Sequence, residues 1–111
     1  MPAPRNAAER RAARWYRLRG YRILGTNVWT GGYELDVVAR RGRSLVFCEV
    51  KSKSGARFGD PLEMVTPEKI RRVRRAAETW LQAHKEHGVC RVTFDVVLER
   101  DGKLQRIARA F

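Results

Sequence analysis

"YELDVVARRGRSLVFCEVK", Tyr33 to Lys51, is the stretch on which the reading of this chain turns. Apolar residues alternate in both halves around a Gly-containing turn, which predicts a hairpin of strands Glu34–Arg40 and Leu45–Lys51. Glu34, Asp36, Glu49 and Lys51 interrupt that apolar pattern. Side chains alternate across a strand, so Glu34 shares a face with Asp36, and Glu49 with Lys51. Directly opposed residues of a hairpin have numbers with a constant sum. A loop of two residues (Arg41, Gly42) or four (Arg41 to Ser44) makes that sum odd and brings Asp36 to the face of Glu49 and Lys51. A regular three-residue loop separates them. Both even loops gather the four ionisable residues into one cluster, and the sequence leaves the loop length open.

Outward from the hairpin, the pattern predicts two helices and three more strands. Asn6–Arg19 reads as a helix with Ala8, Ala12, Trp15 and Tyr16 on one stripe and Gly20 at its stop. Tyr21–Val28 reads as a strand. After the loop "SKSGARFGDPLEMV", Thr66 is placed to cap a second helix with Pro67 at its first position. Ile70, Val73, Ala77, Trp80 and Leu81 form its apolar stripe, and Gly88 is read as its end. Arg91–Glu99 and Leu104–Ala108 make a last pair of strands around Asp101-Gly102, a strong turn signal. The order is α-β-β-β-α-β-β, a mixed α/β sheet flanked by helices. At 111 residues the chain is expected to be one domain, 1–111.

Composition narrows the function classes. Hydrophobic residues make up 43%, enough for a packed core, so the high charge does not signal disorder. The 24 Lys+Arg against 12 Asp+Glu give a formal net charge of +12, and that surplus points to a polyanionic partner, nucleic acid first. No segment is apolar enough to span a membrane, and the start "MPAPRNAAERRAARWYRL" lacks the apolar core of a signal peptide, so a cytoplasmic location is expected. Cys48 and Cys90 lie singly in apolar runs and read as reduced core residues, not as a metal site or disulfide.

The hairpin cluster has a chemical meaning. Two hard carboxylates on adjacent strands suit Mg²⁺ or Mn²⁺, which prefer oxygen ligands and keep several waters. Such a metal lowers the pKa of a bound water and stabilises charge developing on a phosphodiester. A lysine two residues beyond a ligand points into the same space and can act as a fixed cation there. Glu-x-Lys alone is a weak motif, since charge pairs are common on the wet face of any strand. Glu34-x-Asp36 on the preceding strand strengthens it, and "LVFCEVK" is too apolar around Glu49 for a solvated edge.

The residues "ELD" followed by "LVFCEVK" look like the active-site signature of the PD-(D/E)xK nuclease superfamily. The whole chain resembles more closely the small YraN-type bacterial family related to Holliday-junction resolvases. The resemblance runs from "AERRAARWYRLRGYRILGTNVW" through "GDPLEMVTPEKIRRVRRAAETWL" to "RVTFDVV" and "IARAF". It implies a restriction-endonuclease-like fold. It also implies Asp36 and Glu49 as metal-binding acids, Lys51 as the catalytic lysine, and Glu9 as an additional acid at the metal. Two positions depart from the family's pattern: Tyr33 stands where glycine usually precedes the first acid, and Lys53 where arginine is frequent.

Other residues carry competing readings. Glu9 equally suits a first-turn carboxylate favoured by the helix dipole. Glu34 suits either a supporting role behind the metal ligands or a salt bridge on the rim. Asp95 reads as a structural hydrogen-bonding acid. Lys53, Lys69, Arg72 and Arg75 are expected phosphate contacts, against a solvated helix face. His84 and His87 read as exposed groups at a helix end; Trp15, Trp80 and most other aromatics fit the core stripes, whereas Trp29, in a Gly-rich turn region, reads as a candidate DNA contact.

The expected function is a metal-dependent endonuclease-like protein on DNA, with branched or recombination intermediates as the substrates that the resemblance implies. The alternative is a nucleic-acid-binding module of the same fold without catalysis; a scaffold that binds a partner through the loop after Lys51 ranks third. A complete set of carboxylates and lysine favours the enzyme, because a binding-only surface gains nothing from carboxylates facing phosphates. Symmetrical cutting of a four-way junction needs two active sites, hence a homodimer.

Overall fold

A computed structural model describes residues 7–53 and 65–111, with the side chain of Lys53 outside that description. Two helices and five strands follow in the order α1 (Ala7–Leu18), β1 (Arg22–Thr30), β2 (Tyr33–Arg41), β3 (Ser44–Lys53), α2 (Pro67–Ala83), β4 (Arg91–Arg100) and β5 (Lys103–Ile107). This is the α-β-β-β-α-β-β arrangement that the sequence pattern predicts. Most of the loop read between β3 and α2 lies outside the described residues, as does Asn6.

The strands form one open sheet in chain order, β1 to β5. All neighbours are antiparallel except β3 and β4, which run parallel with Cys48 opposite Asp95. A parallel pair needs a crossover, and α2 supplies it. The two helices cover opposite faces. On one, Ala12 and Tyr16 of α1 pack with Val37, Ala39, Val46, Cys48 and Val97. On the other, Val73, Ala76, Ala77 and Trp80 of α2 pack with Leu35, Val38, Leu45 and Phe47. Burying one face of each helix on a shared sheet removes apolar area from water on both sides and fixes the register of every strand.

Local chemistry accounts for the ends of these elements. Thr66 caps α2, its hydroxyl accepting from the Lys69 N–H at 3.2 Å, and Pro67 fills the first position, where no N–H is needed. Asp101 and Gly102 both have positive φ, 49° and 80°, which a two-residue hairpin turn matched to strand twist demands. The turn between β1 and β2 lies hard against α2: a Cβ added to Gly31 (φ 59°) would lie 2.8 Å from Thr79 Oγ1. Only glycine fits there.

Three sequence readings change. Helix α2 stops at Ala83 rather than at Gly88, because a separate 3₁₀ turn, Lys85–His87, follows. His87 is buried rather than exposed. Trp80 stacks on His84 at 4.0 Å and on His87 at 5.4 Å, and a His87 ring nitrogen lies 2.7 Å from the Arg40 guanidinium. Strand β3 runs on through Lys53, which pairs with Arg100, where a loop is expected from Ser52.

Candidate active site

The register of β2 on β3 settles what the sequence leaves open. Arg41 pairs with Ser44 and Val37 with Cys48, so the sum is 85 and the intervening turn is Gly42–Arg43. Carried one step past the last pair, that sum sets Asp36 level with Glu49. The paired ladder ends at Val37–Cys48, and there the Val50 N–H donates to Asp36 Oδ2 at 2.8 Å. A side chain has taken the place of a ladder carbonyl. The same point breaks the period of two along β2. Leu35 packs on the α2 side and Val37 on the α1 side, although strict alternation puts both on one face. The strand turns over across Asp36, an irregularity of the kind that re-aims a side chain beside a functional site.

Glu49 is 4% exposed, yet it stays anchored by polar contacts. Its Oε1 accepts from the Tyr33 hydroxyl at 3.2 Å and lies 3.3 Å from Lys51 Nζ. Burial first, then the Glu49 charge, raises the Asp36 carboxyl to about 7, with Glu9 adding to the rise and the Val50 N–H and Lys51 opposing it. Burial and then the Glu49 carboxylate likewise push the Tyr33 hydroxyl above the ordinary tyrosine range. Lys69 reaches this group from the first turn of α2. Its contact with Lys51, and then burial, lower it below the ordinary lysine range. Burial works against the Lys51 charge too, but Lys69 and the carboxylates of Glu49 and Asp36 outweigh it, so Lys51 is raised.

Glu9 enters from α1. Asn27 Nδ2 donates to Glu9 Oε2 and, at 3.3 Å, to Glu34 Oε1, tying the helix to the β1–β2 pair. Asn27 sits inside β1 with φ 51°, a left-handed conformation that asparagine tolerates better than most residues. Asp36, Glu49, Lys51 and Lys69 thus converge, and Glu9 and Glu34 join through Asn27. Arg72 is ion-paired with Glu68 at 2.6 Å and lies near enough to Tyr33 to act on its charge. Arg75 lies on the exposed side of α2, one turn beyond Arg71 and Arg72.

Two members of the group escape sequence reasoning. Tyr33 shows only as a departure from a family pattern, and its contact with Glu49 depends on the register. Asn27 leaves a faint signal, a turn-type residue within an apolar strand. Asp95 follows its structural reading. Buried at 1% exposure, it accepts from the Tyr16 hydroxyl at 2.6 Å, from Arg106 Nε at 2.9 Å and from the Arg109 N–H at 3.1 Å.

Residues 8–98 match the model of a family described as "Uncharacterised protein family UPF0102". The chain belongs to UPF0102. A UPF0102 protein of Acidothermus cellulolyticus is 44% identical over 98 residues, covering 80% of this chain and 74% of the relative. One from Rhodopseudomonas palustris is 40% identical over 106 residues, covering 95% and 81%. A third, from Frankia alni, is 47% identical over 87 residues, covering 78% and 72%. The UPF0102 match takes in both helices, the hairpin and most of β4, so every member of the site described above falls inside it.

Proposed function

We propose that this UPF0102 protein is a metal-dependent endonuclease-like protein that binds DNA, with branched or recombination intermediates as its substrates. The observation that carries this reading is the juxtaposition of Asp36 and Glu49 with Lys51 and Lys69 at the point where β2 and β3 part. Two carboxylates held together against their own repulsion favour a cation between them, and two lysines beside them favour an anion.

The donor set fits Mg²⁺ or Mn²⁺. Among the described residues, no three His, Cys, Asp or Glu side chains form a ready cage, so the ion would rest on Asp36 and Glu49 and keep waters. The Val50 N–H holds Asp36 at Oδ2, and Tyr33 and Lys51 hold Glu49 at Oε1, so these two anchored carboxylates would hold the ion. Such an ion supplies an activated water and charge stabilisation at the phosphorus. The chain does the rest. Val50 fixes the Asp36 carboxylate, Tyr33 orients Glu49, and Lys51 holds a permanent charge where phosphoryl oxygens gain negative charge. Lys69, with its lowered proton affinity, sits beside it to share a proton or contact the phosphate. Glu9, through Asn27, braces the acidic side, and Arg72 and Arg75 extend the basic surface along the DNA; Lys53, whose side chain lies outside the described residues, is proposed as a further phosphate contact.

The same reading includes a cytoplasmic location, in keeping with the free cysteines Cys48 and Cys90, and a homodimer for symmetrical cutting. Among the described residues, no helix is long and apolar enough to cross a membrane. One observation favours the second reading, a binding module. Lys51 is already paired with Glu49, so half of the carboxylate charge is neutralised without any metal. A cleavage screen decides between them: linear, flapped and four-way DNA with Mg²⁺ or Mn²⁺, with Asp36→Ala as control. Metal-dependent cutting lost in the variant supports the enzyme; DNA binding without cutting under any metal hands the site to the binding module.

A further inference from the structure

We propose that a second cleft, at the end of the sheet remote from the carboxylates, is a phosphate-binding site. It has a volume of about 380 Å³ and is walled by the opening residues of β3 and β4 and by the segment after β5. Ser44 in its lining is five residues before Glu49, on the order of 16 Å along an extended strand, and Asp95 at its inner end pairs with Cys48. Among the described residues, none of those grouped around Asp36 and Glu49 lines this cleft.

Among the described residues, the lining carries four arginines, Arg41, Arg91, Arg106 and Arg109, against a single carboxylate, Asp95. That carboxylate faces inward to organise the site and is not free to compete for it. Its three donors are the Tyr16 hydroxyl, Arg106 Nε and the Arg109 N–H. Arg106 is further clamped with its guanidinium carbon 4.9 Å from the Trp15 ring centre and 5.7 Å from that of Tyr16. Arg41 lies 4.5 Å over the Tyr21 ring and donates to the Arg19 carbonyl at 2.8 Å. Two cationic forks are thus held in place before any ligand arrives, and a planar fork fixed in advance is the best protein group for a phosphate.

The other two arginines are unspent. Among the described residues, the side chains of Arg91 and Arg109 have no hydrogen-bond, ion-pair or ring partner, and both residues are exposed. Arg109 also adopts φ 51°, unusual for a non-glycine residue, and its N–H bond to buried Asp95 holds it there. Ser44 and Thr93 add hydroxyls to the same walls. Two fixed guanidiniums, two free ones and two hydroxyls around a cleft of this size suit a tetrahedral oxyanion. The basic face of α1 is built differently: among the described residues, Arg10, Arg11, Arg14 and Arg17 line another depression with Ala7 beside them, and Arg11 is paired with Glu99 at 3.2 Å. A phosphate held here could be a strand end or an internal phosphodiester of a nucleic acid.

The probe is inorganic phosphate, titrated into the full chain and followed by backbone amide shifts and calorimetry. Shifts centred on Ser44, Thr93 and Arg109 are expected. Arg91→Gln/Arg109→Gln should weaken binding at least about tenfold. Both substitutions leave the bonds to Asp95 in place, and thermal melting checks that the fold survives; if the pair fails to fold, Arg91→Gln alone serves. Arg10→Gln/Arg14→Gln removes the same charge from α1 and should leave binding within about twofold. Equal weakening by the two pairs, or shifts centred on Val50 and Lys51, would overturn the proposal. Competition by an oligonucleotide with a 5′-phosphate but not by its 5′-hydroxyl twin assigns the cleft to a strand end. Equal competition by both assigns it to backbone phosphates, and either result supports the site.

Discussion

Lys51 Nζ lies 3.3 Å from Glu49 Oε1, two positions along the same strand, with the lysine raised and its neighbour Lys69 lowered in proton affinity. The pair joins an acid to a permanent cation in a half-buried site, and this makes Lys51 the residue whose removal should separate chemistry from binding. Lys51→Ala takes one charge from 24 Lys+Arg, so DNA affinity should stay near normal. Cleavage should fall about 10²–10³-fold, the usual cost of losing one preorganised charge at the reacting centre. Lys53→Ala should matter less. Single-turnover cleavage beside fluorescence anisotropy checks both, and unchanged cleavage by Lys51→Ala would remove it from the active site.

Metal binding should need both strands. Calorimetric titration with Mn²⁺ should show binding to the wild type that Asp36→Ala and Glu49→Ala each abolish. Equal heats from all three proteins would mean that the ion sits elsewhere.

Asp36 should make stability fall as pH rises. Its folded carboxyl is raised from 3.8 to about 7, so between those values the folded state binds the extra proton. The resulting loss of stability begins near pH 4, is complete a little above pH 7, and is on the order of 4 kcal/mol. Asp36→Asn keeps an acceptor for Val50 and cannot ionise. Urea melts across pH 4 to 8 should show its stability flat where the wild type declines. Parallel curves would show that burial and Glu49 do not hold the proton on Asp36.

DNA affinity should be steeply salt-dependent and indifferent to base sequence, because a net charge of +12 acts on phosphates. The slope of log K against log salt should be roughly −0.9 for each phosphate neutralised. A flat response from 50 to 200 mM salt would contradict this.

Two adjacent glycines should respond differently to alanine. Gly31 and Gly32 both have positive φ, but only Gly31 faces α2, with Thr79 Oγ1 and the Ala76 Cα within 3.0 Å of an added Cβ. Gly31→Ala should cost roughly 2–4 kcal/mol, and Gly32→Ala about 1. Equal shifts in melting temperature would mean that backbone strain alone matters there.

Much of this architecture is legible in the sequence because its signals are local. The cap at Thr66, the stripes of α1 and α2, and the Asp101-Gly102 turn each act within a few residues. What lies across the sheet is harder to read. Whether Asp36 meets Glu49 depends on a turn whose length the sequence leaves open. The contact of Tyr33 with Glu49 and the reversal of β2 at Asp36 depend on strands parting, which no periodicity encodes. His87 looks exposed because it follows a helix of charged residues, and the short turn that folds it back onto Trp80 has no distinctive composition.

The two outermost strands bear on how copies of the chain meet. An open sheet exposes a row of unpaired amides and carbonyls at each border, a template onto which another chain can add a strand. Here β1 carries a register shift between Ile23 and Gly25 and a left-handed residue at Asn27, so its outer border is neither straight nor evenly spaced. At the opposite border β5 is only five residues long and includes Lys103 and Arg106. Neither border offers a long, flat ladder for continuation. Concentrated protein should therefore resist edge-to-edge polymerisation into fibrils, and a second copy would have to engage through side chains on the helical faces or at the ends of the sheet.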